Sequence, residues 1–294
     1  MHNGAVTFAH HSVSSRDLWG SWSAEPVTVA LLTVSALLYA VGAARLQRRG
    51  RPPAIRRTIS FYAGLGILVV ALLSPLHALA EVLLSAHMVQ HLLLILFAAP
   101  LLIYGGGLVP LMVGLPRGLR RFVQRTRSLV APAFKILLNP VVVGCLHALA
   151  MWSWHLPALY RWGLRSSAVH AVEHASFLAT ALLFWVVVVG AARRRRPPIG
   201  VAILLVFATM LQSSALGAVL TFATRPLYSI HIVGAREWGI EPLVDQELAG
   251  LLMWIPAGAI YLLTMAVLFG AWLKDSDRRS SAVAPEARPG RALE

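Results

Sequence analysis

Apolar residues follow one another in blocks of about 20 along this chain, with short polar segments between the blocks. A helix of about 20 apolar residues is long enough to cross the hydrocarbon core of a bilayer. The strict apolar–polar alternation of a membrane barrel is absent from the sequence. The pattern therefore predicts an all-α, multi-pass membrane bundle of about seven helices. The predicted spans are residues 27–44, 59–76, 81–103, 139–156, 168–191, 199–223 and 246–272.

These spans divide the chain into three regions. Residues 1–26 form an extracytoplasmic arm, and they hold no apolar core of signal-peptide length, so we expect no cleaved signal. Residues 27–273 form the seven-span bundle. Residues 274–294 are rich in Arg, Ser, Ala and Pro and are expected to be a disordered cytoplasmic tail. The stretch Leu108–Pro116 is too short and too rich in Gly and Pro to span, so we place it at the interface.

Charge fixes the predicted orientation of the bundle. The chain is 57% hydrophobic and only 13% charged, yet its net charge is +14. Of its 26 Lys and Arg residues, 21 lie on alternate connections, in 45–57, 117–135, 193–196 and after residue 273. This is the positive-inside pattern, which places the N-terminus outside and the C-terminus in the cytoplasm. The basic residues therefore indicate topology and contact with membrane lipid, and we expect no nucleic-acid partner.

Two five-residue motifs carry the candidate chemistry. They are HMVQH at 87–91 in span three and HAVEH at 170–174 in span five. On a helix, residues i and i+4 share one face, roughly 5–6 Å apart at Cβ. Histidine within a membrane span usually faces the bundle interior and marks function. Both spans enter from the outside in the predicted topology, so both pairs lie in the outer half of the membrane. We predict that His87, His91, His170 and His174 bind a metal ion.

A third stripe lies on span four, where His147, Met151 and His155 are spaced by four residues. Met88 adjoins the first histidine pair. Imidazole suits zinc, copper, iron and nickel, whereas thioether favours Cu(I). A His and Met set facing an oxidising compartment therefore favours copper, as Cu(I), with all three stripes contributing ligands.

Two polar residues lie on the same helix faces as the histidine pairs. Glu173 and Gln90 are each expected to hold an imidazole N–H and so to fix its tautomer. The single cysteine, Cys145, cannot form an internal disulfide, and we expect it to be a small core residue.

Three other interpretations stay open on these residues alone. Residues 170–174 match the H-x-x-E-H motif of a zinc hydrolase. One histidine from each helix could instead bind haem in an electron-transfer protein. The histidines could also serve only as interhelical hydrogen-bond partners in a structural protein. The sequence leaves the number of ions and the formation of a homo-oligomer open.

Four ordered blocks resemble the multi-span CtaG family of bacterial cytochrome c oxidase assembly factors, over roughly residues 80–275. The blocks are HMVQHLLL at 87–94 continuing to AAPLL at 98–102, WHLP at 154–157 with LY at 159–160, HAVEH at 170–174, and DQELAGLLMWIPAG at 245–258. The last block has Glu247 where the family pattern has Gln.

The resemblance implies a non-catalytic factor in the bacterial inner membrane that matures a haem–copper oxidase, with the oxidase subunits as partners and copper as cargo. The positions it carries over are His87, His91, His155, His170, Glu173, His174 and Asp245. His147 and Met151 rest on spacing alone.

Overall fold

The computed structural model describes residues 18–192 and 197–283, and this part of the chain is helical without a strand. Its helices are α1 (Pro26–Gln47), α2 (Ile55–Leu73), α3 (Pro75–Val82), α4 (Leu84–Leu92), α5 (Ala99–Tyr104), α6 (Leu108–Gly114), α7 (Arg117–Leu137), α8 (Pro140–Trp154), α9 (Pro157–Arg165), α10 (Ser167–Ala192), α11 (Ile199–Thr221), α12 (Ile232–Glu237) and α13 (Pro242–Val283). A π-helical segment, Leu93–Ala98, joins α4 to α5. Short 3₁₀ turns lie at Leu18–Gly20 and Ser229–His231.

Six of these helices are long and apolar enough to cross a membrane, with α4 and α5 counted as one. The pair α7 and α8, bent by 73° at the short break between them, adds a seventh span if the two helices are counted as one. The predicted all-α, multi-pass fold is therefore confirmed. Local signals begin several helices. Glu25, Ser74 and Asn139 each accept a hydrogen bond from a backbone N–H of the first turn that follows, and a proline occupies the first helical position after each of them.

The structure differs from the sequence-based expectations at two places. Helix α13 continues to Val283, so the first ten residues of the predicted tail are helical, while residues 284–294 and 1–17 lie outside the described part. Cys145 is exposed on α8, because it projects from the bundle instead of packing in its core. Within the stretch that we expect at the interface, Leu108–Gly114 form α6, which packs closely on α1. Gly42 and Gly114 permit this approach, since a Cβ at either would overlap a backbone carbonyl of the other helix.

Helix α7 is amphipathic and no residue on it is buried. Its basic residues occupy one side of the helix, and apolar residues such as Phe122, Leu129 and Phe134 occupy the opposite, exposed side. Helix α7 is also bent by 73° away from α8. This pattern and this bend are typical of a helix that lies along the membrane surface.

The opposite end of the bundle is built by three short helices that link successive spans, α3, α9 and α12. Gly234 of α12 lies directly against Val82, because any Cβ there would come within 2.7 Å of the Val82 carbonyl oxygen. The Tyr160 hydroxyl of α9 lies 2.6 Å from Nε2 of His231, just before α12. These contacts form a cover over the N-terminal halves of α4 and α10, which carry the two histidine motifs.

Candidate metal centre

Helices α4 and α10 bring the two histidine pairs face to face. Within each pair the ring centroids are 4.3 Å apart (His87 and His91) and 4.2 Å apart (His170 and His174). Across the helices, His87 lies 5.5 Å from His170, and His91 lies 5.5 Å from His174. The four imidazoles therefore form one cluster between the helices, as the i,i+4 spacing predicts.

Glu173 extends its carboxylate into this cluster. Its Oε1 lies 3.5 Å from Nε2 of His87 and 3.6 Å from Nε2 of His91. Ligand atoms of His87, His170 and Glu173 all lie within 4.8 Å of one another. Gly163 of α9 leaves room for the carboxylate, since a Cβ there would come within 2.8 Å of Oε2. We expected Glu173 to support an imidazole N–H, and its position also allows it to be a direct ligand of an ion.

Most side-chain N and O atoms of the cluster are buried without a hydrogen-bond partner. In the described part of the chain, twelve buried side-chain N and O atoms have no partner, and nine of them belong to six residues. These residues are His87, His91, His155, His170, Glu173 and His174. Leaving a buried polar atom unsatisfied costs about 1–3 kcal/mol, and native proteins contain few such atoms. A neutral imidazole has one lone pair and one N–H, so seven of these atoms can present a lone pair: one nitrogen on each of the five histidines and the two oxygens of Glu173. A bound cation would take lone pairs of this kind.

His155 joins the cluster from the C-terminal end of α8. Its Nδ1 donates a hydrogen bond of 2.6 Å to the carbonyl of Met151, so the lone pair of the neutral ring lies on Nε2. That Nε2 is buried without a partner, and the ring centroid lies 6.4 Å from that of His91. This is the arrangement of a metal-ligating histidine whose other nitrogen is held by the backbone.

His147, the first member of the predicted stripe on α8, lies apart from the cluster. Its Nδ1 lies 3.1 Å from the hydroxyl of Thr180, and its ring stacks on Phe184. Eight residues separate it from His155, which on a helix is about 12 Å. The two residues share a face but lie at different depths.

Gln90 faces away from the pair that we expected it to support. Its amide nitrogen donates to the carbonyl of Ala71 at 2.6 Å and lies 3.0 Å from Nδ1 of His77. Since this nitrogen is a donor, Nδ1 of His77 accepts, and the proton of the neutral ring lies on Nε2.

His77 lies at the edge of the cluster and stacks on His170, with ring centroids 5.6 Å apart. Burial lowers the pKa of His77. Ligand atoms of His77, Glu81 and His170 also lie within 4.8 Å of one another. In this tautomer, however, Nε2 of His77 carries a proton and Nδ1 accepts from Gln90, so His77 is a hydrogen-bond donor.

His231 is a buried residue beside the cluster that the sequence did not single out. Its Nδ1 donates to the carbonyl of Val82 at 3.0 Å, and its Nε2 accepts from the hydroxyl of Tyr160. Burial lowers the pKa of His231 to about 4 and raises the pKa of Tyr160, so both groups stay neutral. With both nitrogens in use, His231 holds Tyr160 against His87, where the ring centroids are 5.1 Å apart.

Asp245 of α13 acts on the cluster by capping α4, the helix that carries His87 and His91. Its carboxylate accepts hydrogen bonds from the backbone N–H groups of Leu84 at 2.7 Å and Ser85 at 3.1 Å, and from the Ser85 hydroxyl. Leu83, which precedes α4, provides no side-chain cap. Asp245 of α13 therefore caps the N-terminus of α4 and fixes the position of His87 one turn later.

Comparison with known proteins places the chain in a family. Two uncharacterized proteins, from Mycobacterium bovis and Mycobacterium tuberculosis, are each 26% identical to it over 275 residues, which is 88% of this chain. The chain spans only 40% of the length of these relatives. No solved structure matches it. Residues 37–275, which include every residue of the cluster, match the family described as cytochrome c oxidase caa3 assembly factor, also named Caa3_CtaG, and the chain belongs to that family.

Proposed function

We propose that this protein is a non-catalytic assembly factor of the bacterial inner membrane that binds copper in the histidine cluster and transfers it to a haem–copper oxidase. The observation that carries the proposal is the set of buried, unpartnered N and O atoms on six residues, seven of which can present a lone pair. Membership of the family supports an oxidase as the target, and the cluster supports a bound metal ion.

The ligand types favour copper over other metals. The cluster offers imidazoles and one carboxylate, with Met88 and Met151 buried beside them. Copper binds such nitrogen and oxygen sites most tightly among the divalent first-row metals, and thioether additionally favours Cu(I). A haem would need a pocket of roughly 300 Å³ or more, whereas the cavity that adjoins the cluster measures about 20 Å³.

The first test is the metal content of the purified protein. We expect the wild-type chain in detergent to retain copper and the His87→Ala/His91→Ala double variant to lose most of it, because two ligands are removed. His147→Ala is the matched control, since it removes a buried histidine outside the cluster. Equal copper content in the wild type and the double variant, with both equally stable to heat, would exclude the cluster as the binding site.

The second test is orientation, because delivery to the outer face needs the cluster on that side. The 21-to-5 division of Lys and Arg predicts a cytoplasmic C-terminus. A reporter that is active only in the cytoplasm should therefore work when it is fused after Glu294 and fail when it is fused at the N-terminus. The reverse result would place the cluster on the cytoplasmic side and contradict delivery from outside.

A further inference from the structure

A small cavity lies beside the histidine cluster, deeper in the bundle. Its volume is about 20 Å³, enough for one water molecule or one ion. The polar and sulfur-containing residues that line it are Met88, His91, Met151, His155, Ser213 and Met253.

The thioethers of this cavity come from three separate helices. Met88 lies on α4, Met151 on α8 and Met253 on α13, and all three are buried. The chain has only seven methionines, and three of them line this one cavity. Methionine often fills gaps in a core. Packing alone, however, does not explain why two imidazoles with unpartnered nitrogens, those of His91 and His155, line the same space.

The charge of the lining restricts the ion that would fit. No acidic residue lines the cavity, whereas Glu173 lies among the histidines of the neighbouring cluster. Transferring an ion into an apolar interior costs a free energy that rises with the square of its charge, so a divalent ion is penalised roughly four times as heavily as a monovalent one. Neutral thioether and imidazole ligands select a soft cation.

We propose that this cavity is a second metal site, selective for Cu(I) and held by the three methionines with His155 and His91. This inference rests on the proposed copper function, because His91 and His155 belong to both the cluster and the cavity. A shared ligand allows the ion to move between the carboxylate-containing cluster and the thioether site by exchanging one ligand at a time, without crossing apolar space.

The test compares copper stoichiometry and coordination in matched methionine variants. The full chain in detergent is loaded with Cu(I) under reducing, anaerobic conditions, and X-ray absorption measures sulfur neighbours of the metal. We expect two copper ions in the wild type. Met88→Leu/Met151→Leu/Met253→Leu, which nearly conserves side-chain volume, should bind one ion and lose the sulfur signal. Met210→Leu/Met265→Leu is the control, because these partly buried methionines do not line the cavity.

The outcomes separate this inference from the proposed function. Copper in the wild type without sulfur neighbours, and with a count unchanged in the triple variant, would overturn the second site and leave the cluster in place. An equal loss of copper in the control variant would also overturn it. A wild-type protein that binds no copper would overturn both proposals.

Discussion

Replacement of His87 by alanine is expected to leave cells with oxidase polypeptide that lacks copper and activity. His87 is completely buried and lies within ring contact of His91 and His170, with Glu173 at 3.5 Å. Removal of a group that merely supports a metal ligand typically lowers metal affinity 10–100-fold. Loss of this central ligand should therefore lower it by on the order of 100-fold or more. His174→Ala should have the same effect, because it removes the facing ligand of the second pair.

The measurement is oxidase activity and copper per oxidase in membranes from cells that carry each variant. His147→Ala again serves as the control, and immunoblotting establishes that each protein accumulates normally. Excess copper in the medium should restore part of the activity, since mass action can partly replace a delivery factor. Full oxidase activity in both the His87 and the His174 variants would show that the cluster is not needed and would favour a purely structural role for the histidines.

Replacement of Asp245 by alanine should weaken both the fold and the copper site. The variant leaves the N–H groups of Leu84 and Ser85 without their acceptor in a buried place. Loss of an N-cap costs about 1 kcal/mol, and each buried unsatisfied donor about 1–3 kcal/mol. The first turn of α4 should then shift, which displaces His87, and we expect a fall in copper affinity of about tenfold.

Thermal unfolding and a competition assay with a copper chelator measure the two effects separately. Asp245→Asn should recover part of both, because an amide oxygen can still accept one of the hydrogen bonds. Glu241→Ala is the control, since Glu241 is an exposed acidic residue one turn earlier. A loss of stability in Asp245→Ala with unchanged copper affinity would mean that Asp245 supports the fold but does not position the site.

The spans and the meeting of the histidine pairs could be predicted because both follow from patterns that are local in the sequence. Blocks of about 20 apolar residues define spanning helices, and a spacing of four residues defines a helix face. The same rule put His147 with His155, which is correct for the face but ignores the depth along α8. Only the packing of neighbouring helices decides which part of a face meets another helix.

The contributions of His77 and His231 could not be predicted, because they depend on the short helices that cover the cluster. Both residues lie in connections between spans, where neither spacing nor hydropathy indicates direction. Gln90 shows the same limit, since we expected it to hold an imidazole N–H of its own pair, whereas its amide nitrogen contacts Ala71 and His77. Tertiary contacts between distant segments decided all three cases.

The position of Asp245 in the chain has a consequence for the order of biosynthesis. This carboxylate lies 161 residues after Leu84, whose N–H it accepts. During translation α4 and α10 enter the membrane first, and the N-terminus of α4 stays uncapped until α13 has been made and has docked. The histidine pairs therefore reach their final geometry only when α13 is in place, so a partly synthesised chain does not yet present the finished cluster.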